Sequence, residues 1–310
     1  MDYESFVDEQ VSAIREAVGD ATAINAVSGG VDSSVVTALG HKALGERLKT
    51  VFVDNALMRE DEADSVVRTF QDLGIPVEVV DAREQFLDAL KGLTDPEEKR
   101  QAITSTFYRD VFGHLMRQSG AQCLLHGTIL TDIEETVAGI KRQHNILSQL
   151  GIDPEAELGY KVIEPLATLR KDDVREVGRI LGLPEHVVCR IPFPGPALAT
   201  RIVGEVTEPR LETVRAATAI VEEELAHTDA FQYMAVLLND KATGIRDNKR
   251  EYGGIIVVRC IHSVDARTAT VVELPWLTLH HVSERITALP GVNRCLYDLT
   301  PKPPGTIEYV

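Results

Sequence analysis

Apolar positions in the first half of the chain follow two different spacings. From 2 to 18 they recur at helical intervals, which predicts an amphipathic helix. Short β-branched runs then alternate with longer helical patterns, and they predict buried strands at 21–27, 50–54, 75–81 and 121–126. Strands that alternate with helices form parallel sheets, so we expect an α/β domain first.

Capping residues place two further helices in this half. Asp95 is suited to cap a helix that has Pro96 at its first position. Thr168 is a plausible N-cap for a helix over 171–181, which Gly182 would end. Between these helices the segment 128–159 is long, polar and without a clear strand. It predicts either a helical excursion or a lid over a site.

A proline-rich segment, 191–196, interrupts regular structure and predicts a domain boundary near residue 190. We therefore expect one domain over 1–190 and a second over 191–310. The second contains helical patterns and β-branched runs, which predict helices at 208–226 and 276–289 and strands at 231–238, 254–262 and 293–299. This order indicates a smaller α+β unit with an antiparallel or mixed sheet.

The heptad 28–34, Ser-Gly-Gly-Val-Asp-Ser-Ser, follows a predicted strand and opens a predicted helix. Its two glycines let the backbone approach phosphate oxygens, while free N–H groups and the helix dipole favour an anion. The serines add hydroxyl donors, and Asp32 could hold Mg²⁺. The loop lacks the lysine and spacing of a Walker loop. The alternative is an ordinary Gly-Gly turn capped by serine.

The composition narrows the functional classes. With 48 acidic and 32 basic residues the formal charge is −16, which disfavours non-specific binding to nucleic acid or to an anionic membrane. Only 10 of the basic residues are Lys and 22 are Arg, so we hypothesise a salt-loving host. No apolar run approaches the roughly 20 residues of a membrane span, and the acidic N-terminus lacks a secretory pattern, so we expect a cytoplasmic protein.

The four cysteines lie far apart in the sequence, without a C-x-x-C pair: Cys123, Cys189, Cys260 and Cys295. This spacing disfavours a zinc site and a disulfide framework. It also provides no local pattern for a catalytic cysteine, and we interpret all four as incidental thiols.

The heptad resembles the loop of the N-type ATP pyrophosphatases, which include GMP, NAD, asparagine and argininosuccinate synthetases and tRNA-modifying enzymes. Further segments resemble the GMP synthetase family in particular, and they lie at 52–59, 126–128, 132–135, 140–145, 163–175, 192–196, 291–294 and 302–309. Among the departures from that family's pattern, Ala56 stands where it has glycine, and Arg142 and Gln143 differ in the lid segment.

The resemblance implies an ATP pyrophosphatase domain, followed by a smaller α+β dimerisation domain, and it implies roles for individual residues. It places ATP at Ser28, Gly29, Gly30, Val31, Asp32, Ser33, Ser34 and Val53, with Asp32 on Mg²⁺. It places the chemistry at Asp32, Asp132, Glu135, Lys141 and His144. It places the nucleotide XMP at Pro194, Gly195, Pro196, Lys302, Ile307 and Glu308.

The residues alone leave several of these roles open. Asp132 and Glu135 can share one helical face, suited to Mg²⁺ or to positioning ammonia, but a solvated acidic face has the same spacing. Lys141 and His144 could bring positive charge to phosphates from a lid, or could simply be exposed. By composition, the segment 192–196 would be a linker and the residues from Lys302 onwards a surface tail.

The activity implied by the resemblance is the amination of XMP to GMP, with ATP cleaved to AMP and pyrophosphate through an adenylyl-XMP intermediate. The chain starts directly at the ATP domain, and no cysteine lies in a G-x-C-x-G context. We therefore expect ammonia from a separate glutaminase subunit, and we expect a homodimer of this chain. The alternatives are an NAD synthetase, a tRNA-modifying relative and a non-catalytic ATP-binding module.

Overall fold

A computed structural model describes residues 1–137, 160–264 and 266–310, with the backbone alone for 135–137. The chain forms two compact units. The first contains Met1–Asp54, Asp61–Ala82 and Thr104–Arg190, and the second contains Asn55–Glu60, Arg83–Ile103 and Ile191–Val310. The change of unit after Arg190 lies beside the proline-rich segment, whereas two earlier stretches of chain are grouped with the second unit.

Helices and strands alternate as far as the third strand, and longer runs of helices or of strands follow. In chain order the helices are α1 (Tyr3–Val18), α2 (Val31–Leu44), α3 (Glu62–Asp72), α4 (Arg83–Leu90), α5 (Pro96–Ser105), α6 (Gly113–Ser119), α7 (Leu130–Val137), α8 (Lys171–Ile180), α9 (Glu185–Val188), α10 (Glu208–Leu225) and α11 (Trp276–Ala288). The strands are β1 (Ala23–Ala26), β2 (Leu48–Asp54), β3 (Glu78–Asp81), β4 (Cys123–Leu125), β5 (Lys161–Ile163), β6 (Gln232–Arg246), β7 (Lys249–His262), β8 (Thr270–Val271) and β9 (Val292–Tyr297).

The first unit is built on a five-stranded parallel sheet, which confirms the predicted α/β class. Its strand order is β3-β2-β1-β4-β5, and every neighbouring pair is parallel. Strands β2 and β3, which follow β1 in the sequence, lie on one side of it. The next strand, β4, pairs with the other side of β1. The connections therefore diverge between β1 and β4, which is the switch point where such sheets bind ligands.

Buried side chains from three adjacent strands form the core beneath this point. Ile24, Val51 and Leu124 are almost fully buried and belong to one cluster with Phe112 and Met116. Their β-branched and aliphatic side chains suit strands that are covered on both faces. This packing fixes the carboxyl ends of β1, β2 and β4 at one edge of the sheet.

Helix ends explain two differences from the sequence predictions. Strand β3 begins at Glu78 rather than at residue 75, because the N–H of Ile75 bonds to the carbonyl of Phe70 and Gly74 is left-handed, a usual helix ending. The predicted N-cap Thr168 is wrong, since α8 begins at Lys171 after Arg170 and the carboxylate of Asp173 accepts the backbone N–H of Arg170.

Other short-range predictions are confirmed or extended. Asp95 caps α5, because its carboxylate accepts the N–H groups of Glu97 and Glu98 at 2.9 and 3.0 Å. Strand β5 was not predicted, and only three half-exposed or exposed residues form it, too few for a recognisable pattern.

The second unit contains a mixed sheet, as the sequence predicted. Strands β6, β7 and β8 are antiparallel, and β9 pairs with β7 in parallel. Helix α10 contacts β6, and α11 contacts β9. Strands β6 and β7 continue well beyond the predicted ends at 238 and 254, where their residues become mostly exposed.

A two-residue turn joins these long strands. Asp247 and Asn248 both have positive φ, at 49° and 60°, the combination that a tight hairpin of the primed type requires. The hairpin arm that they close, 241–246 paired with 249–254, is polar and lacks the apolar alternation that identifies strands in a sequence. This explains why the predicted strands end at 238 and begin only at 254. No helix in the described ranges is both long and apolar enough to cross a membrane.

Candidate functional site

The heptad Ser28–Ser34 lies at the switch point of the parallel sheet. It leaves the carboxyl end of β1, and α2 begins within it at Val31. The N-cap of α2 is Gly30, which has no side chain to cap the helix, so the first N–H groups of α2 lack the usual capping oxygen. An uncapped helix N-terminus at a switch point is a site for an anion.

Serine hydroxyl groups shape the loop from within. Ser33 Oγ accepts the backbone N–H of Ser28 at 3.1 Å and donates to the carbonyl of Gly30 at 3.0 Å. Ser28 Oγ lies 3.0 Å from Ser33 Oγ. Ser33 thus holds the turn closed, while the exposed Ser28 lies at its entrance. Ser34 is buried, and its hydroxyl has no hydrogen-bond partner among the described residues.

A buried polar network supports the loop from below. Asn25 on β1 donates to Thr37 on α2 at 2.5 Å and accepts from Thr50 on β2 at 2.9 Å. Thr37 in turn donates to the carbonyl of Ser33 at 2.8 Å. Because buried polar groups must be paired, this chain of bonds specifies how α2 meets the sheet and therefore where the loop lies.

Asp32 has one oxygen engaged and one without a partner. Lys171, at the start of α8, donates to Asp32 Oδ2 at 2.6 Å. Asp32 Oδ1 is buried and makes no hydrogen bond to any part of the chain that the structure describes. A buried, unpaired carboxylate oxygen is suited to a divalent cation. Lys171 was missed in the sequence, because nothing local indicates a partner 139 residues away.

The described ranges contain no cluster of three His, Cys, Asp or Glu side chains suited to a metal. The unpaired Oδ1 of Asp32 is the carboxylate oxygen at this loop that could contact a divalent cation. The residues present are compatible with such an ion.

A hydrogen-bonded chain follows β4 on the other side of the switch point. His126 Nδ1 lies 2.9 Å from Thr128 Oγ1, and Thr128 donates to Glu164 at 2.6 Å. Burial lowers the pKa of His126, which favours the neutral imidazole. Between them, Gly127 approaches the loop so closely that an added Cβ would lie 3.4 to 3.5 Å from atoms of Asp32 and Ser33.

The other predicted residues of the first unit are only partly brought to this edge. Val53 is buried in β2 and pairs with Val80 of β3, one strand away from the loop. Asp132 accepts the backbone N–H of Ile129 at 3.1 Å, so its carboxylate supports the start of α7. The side chain of Glu135 lies outside the described part of the chain, as do Lys141 and His144.

In the second unit, the proline-rich segment and the C-terminal tail meet at one side chain. Gln232 Nε2 donates to the carbonyl of Pro192 at 3.2 Å and to the carboxylate of Glu308 at 2.5 Å. Thr200 also donates to Glu308, at 3.4 Å. The sequence could not predict this convergence, because the two segments are more than a hundred residues apart.

A buried arginine holds the tail against the sheet. Arg259 is 1% exposed and donates to the carbonyls of Thr300, Thr306 and Ile307 as well as to the carboxylate of Asp298. Lys302 donates from its ammonium group to the carbonyl of Ala266 at 2.8 Å. The tail is therefore an ordered part of the second unit rather than a loose surface segment.

Further cationic groups surround the proline-rich segment. The ring of Phe193 lies between two guanidinium groups, with Arg59 at 3.8 Å and Arg201 at 4.7 Å from its centroid. Arg201 is 1% exposed, and its Nε lies 3.5 Å from Glu308. Its Nε and Nη1 make no hydrogen bond within the described ranges.

A depression beside this segment combines Pro196 with residues that the sequence did not single out. It is lined by Pro96, Lys99, Arg100, Pro196, Ala199, Thr200 and Val310. The ammonium group of Lys99 donates to the carbonyls of Ala199, Ile202 and Gly204. The guanidinium group of Arg100, which also lines the depression, lies 3.4 Å from the carboxylate of Glu97. Pro194 and Gly195 lie just before this lining, half-buried and exposed respectively.

Comparisons with known proteins identify relatives over the whole chain. A family model for the GMP synthase C terminal domain matches residues 219–309, and one for asparagine synthase matches residues 11–129. A subunit of glutamine-hydrolyzing GMP synthase from Archaeoglobus fulgidus is 49% identical over 100% of both chains. The same subunit from Methanocaldococcus jannaschii is 48% identical over 99% of both. A solved NH3-dependent NAD synthetase from Campylobacter jejuni is 16% identical, with a TM-score of 0.47 over 61% of this chain and 78% of that one.

The two glycines of the loop should differ sharply in their tolerance of a side chain. Gly29 has φ +78°, and an added Cβ would lie 2.5 Å from Glu62 Oε1, so Gly29→Ala should lower the free energy of unfolding by about 1–3 kcal/mol. Gly30 has an ordinary φ of −76°, with its nearest neighbour at 3.5 Å, so Gly30→Ala should cost under about 1 kcal/mol. Urea unfolding followed by circular dichroism measures both, and equal losses would contradict the loop geometry.

Proposed function

The chain belongs to the family of this glutamine-hydrolyzing GMP synthase subunit, and from that membership we propose that it catalyses the ATP-dependent amination of XMP to GMP. The observation that carries the proposal is the Ser28–Ser34 loop at the switch point, with an uncapped helix N-terminus and a lysine beside it. It supplies the anion site that pyrophosphate release requires, and full-length similarity to the named relatives supports XMP as acceptor.

The proposed reaction has two steps. The oxygen at C2 of XMP attacks the α-phosphorus of ATP, and pyrophosphate leaves into the loop. Ammonia then attacks C2 and AMP departs, with release of one proton. A purine oxygen is a poor leaving group by itself, whereas AMP is a good one, which explains the use of ATP.

Fixed positive groups would stabilise the first step. The N–H groups at the start of α2 and the ammonium group of Lys171 act on the charge that develops as pyrophosphate separates. Because the start of α2 is held by the sheet and by the Asn25 network, its N–H groups need no rearrangement at the moment of reaction. The serines shape the loop and add hydroxyl donors at its entrance.

We place Mg²⁺ at Asp32, where the unpaired, buried Oδ1 is suited to receive it. When bound, such an ion supplies Lewis-acid charge to the phosphate oxygens. Asp32 would orient it through Oδ1, while Oδ2 stays paired with Lys171. Asp132, Glu135, Lys141 and His144 remain proposed contributors, with Asp132 so far placed at the start of α7.

The nucleotide acceptor is proposed to bind along the proline-rich segment and the tail of the second unit. Pro196, which follows Pro194 and Gly195, lines the depression described above together with the guanidinium group of Arg100, which would have to exchange its contact with Glu97 in order to bind a phosphate. Glu308, held by Gln232 and Thr200, can accept hydrogen bonds from N–H groups of a purine base. Ile307, the residue before it, is proposed to contact the same nucleotide. Lys302 would have to exchange its bond to the carbonyl of Ala266 in order to contact a phosphate.

We propose that a separate glutaminase subunit supplies the ammonia. The relatives are named as one subunit of a glutamine-hydrolyzing enzyme, which supports this division. The thiols of this chain are poor nucleophiles, since burial raises the pKa of Cys123, and that of Cys260 and Cys295 to about 11, while a bond to the Glu185 carboxylate raises that of Cys189.

The remaining proposals concern the protein's assembly and surroundings. We propose a homodimer formed by the second unit, which exposes large apolar side chains including Ile245, Tyr252, Trp276 and Leu277. The charge of −16 supports a salt-loving host, because salt screens the repulsion among acidic groups. Four free cysteines agree with a reducing cytoplasm, which cell fractionation would check.

Removing the carboxylate of Asp32 should abolish most of the activity. In the presence of XMP, ATP and ammonium, Asp32→Asn should reduce pyrophosphate release by about 100-fold or more, because it removes the cation ligand and the partner of Lys171. Asp172→Asn is the matched control, since that carboxylate on the neighbouring α8 is 94% exposed. Release that does not depend on XMP would contradict the proposed acceptor and would favour another ATP pyrophosphatase or a binding module.

The source of nitrogen gives a second test. The isolated chain should form GMP from XMP, ATP and ammonium, and should form none from glutamine until a glutaminase subunit is added. Chromatographic detection of GMP measures this, and a cysteine-blocking reagent on the isolated chain should leave the ammonium reaction unchanged. Glutamine-dependent GMP formation by the chain alone would contradict the two-subunit proposal.

Sedimentation across a KCl series tests the assembly and the salt proposal together. We expect a dimer at micromolar concentration, with folding and activity that increase towards about 1 M KCl, where repulsion between exposed charges extends over only about 3 Å. A monomer under all conditions would overturn the dimer, and full activity at low salt would overturn the salt requirement.

A further inference from the structure

An ion pair with a buried carboxylate and a partly buried guanidinium group lies against the Ser28–Ser34 loop. Arg190 forms a bidentate salt bridge with Glu62, in which Nη1 donates to Oε1 at 2.5 Å and Nη2 donates to Oε2 at 2.6 Å. The side chain of Glu62 is 3% exposed and that of Arg190 26% exposed. The same Nη1 also donates to the carbonyl of Gly29, at 3.0 Å. The pair therefore binds the backbone of the loop as well as itself.

The loop has no room for anything between its backbone and this pair. At Gly29 an added Cβ would lie 2.5 Å from Glu62 Oε1 and 2.8 Å from Arg190 Nη1. The φ of +78° at Gly29 belongs to the same arrangement. Gly29 is thus the point at which the loop is pressed against the ion pair, and the pair determines which way the Gly29 peptide faces.

The direction of that peptide matters for an anion site. A loop binds phosphate through N–H groups, and a carbonyl turned towards the phosphate would repel it. By taking the Gly29 carbonyl as its acceptor, Arg190 keeps that oxygen away from the ligand side. Glu62 in turn holds the guanidinium group in place through both of its oxygens, and it balances a charge that would otherwise be buried alone.

Stability alone is a weak explanation for this pair. A buried ion pair loses much of its attraction to the cost of removing both charges from water, and apolar replacements are often equally stable. The carbonyl bond to the loop is the contact that an apolar pair could not replace.

We propose that Arg190 and Glu62 are positioning residues for pyrophosphate, acting through the Gly29 peptide rather than touching the substrate. This inference rests on the proposed function, because it assumes that the loop holds the departing pyrophosphate. It assigns to the pair a role in orienting the N–H groups of the loop before the ligand arrives.

The test measures the affinity for inorganic pyrophosphate by calorimetry, together with the KM for ATP and for XMP. The variants are Arg190→Lys, which keeps the charge without the planar fork, and the double change Glu62→Met with Arg190→Met, which replaces the pair by apolar groups. Both should weaken pyrophosphate binding and raise the KM for ATP by about tenfold or more, the size of one hydrogen bond to a charged group, with the KM for XMP little changed.

A matched control is available in the same unit. Arg179 and Glu185 form an exposed pair, with Nε to Oε1 at 2.8 Å, and the change of both to Met should leave pyrophosphate affinity within about twofold. Circular dichroism must show each variant folded at the temperature of the measurement. If the double variant does not fold, Arg190→Lys alone decides.

The outcomes separate the two proposals. Folded variants that bind pyrophosphate as the unaltered chain does would overturn the positioning role, even if their unfolding temperature falls. An unaltered chain that neither binds pyrophosphate nor makes GMP would instead refute the proposed function. Weaker pyrophosphate binding in the variants, with the control unchanged, supports the inference.

Discussion

The proposed phosphate site depends on the pairing of β1 with two parallel neighbours, β2 on one side and β4 on the other. Strands β2 and β3 lie on one side of β1, and β4 and β5 lie on the other, so the connections after β1 and β4 run in opposite directions. The loops after β1 and β4 therefore separate and leave a crevice. The buried bonds from Asn25 to Thr37 and Thr50 then fix α2 over that crevice. A strand of four residues thus sets the position of the Ser28–Ser34 loop.

Charged side chains near the proposed sites have different partners in the two units. In the first unit, charges are paired across long stretches of sequence, as with Asp32 and Lys171 or Glu62 and Arg190, and each pair borders the loop. In the second unit, the cations Lys99 and Arg259 are buried and donate mainly to backbone carbonyls. These bonds satisfy carbonyl groups at 199–204 and in the C-terminal tail, which is why both stretches can be well defined with little regular structure.

The sequence predicted what depends on local pattern. Strands β1, β2 and β4 and the cap at Asp95 follow from β-branched runs and from a single capping side chain, and the loop was recognisable from the order of its glycines and serines. It could not predict Lys171 or Arg190 as neighbours of the loop, because their partners lie 139 and 128 residues away. The sequence shows that Ala56 stands where the family pattern has glycine. It does not show the conformational strain of that alanine, which arises from a φ of +64° that favours glycine.

The tight turn at Asp247 and Asn248 restricts how this chain can change in length. The arm that it closes pairs residue by residue, from Arg246 with Lys249 to Lys241 with Gly254, and the register becomes irregular only between Leu237 and Lys241. Because side chains alternate between faces, a one-residue insertion in a strand of this arm would move every side chain beyond it to the opposite face, whereas a two-residue insertion would preserve each face. Natural variation in the length of this arm is therefore expected to occur in steps of two residues.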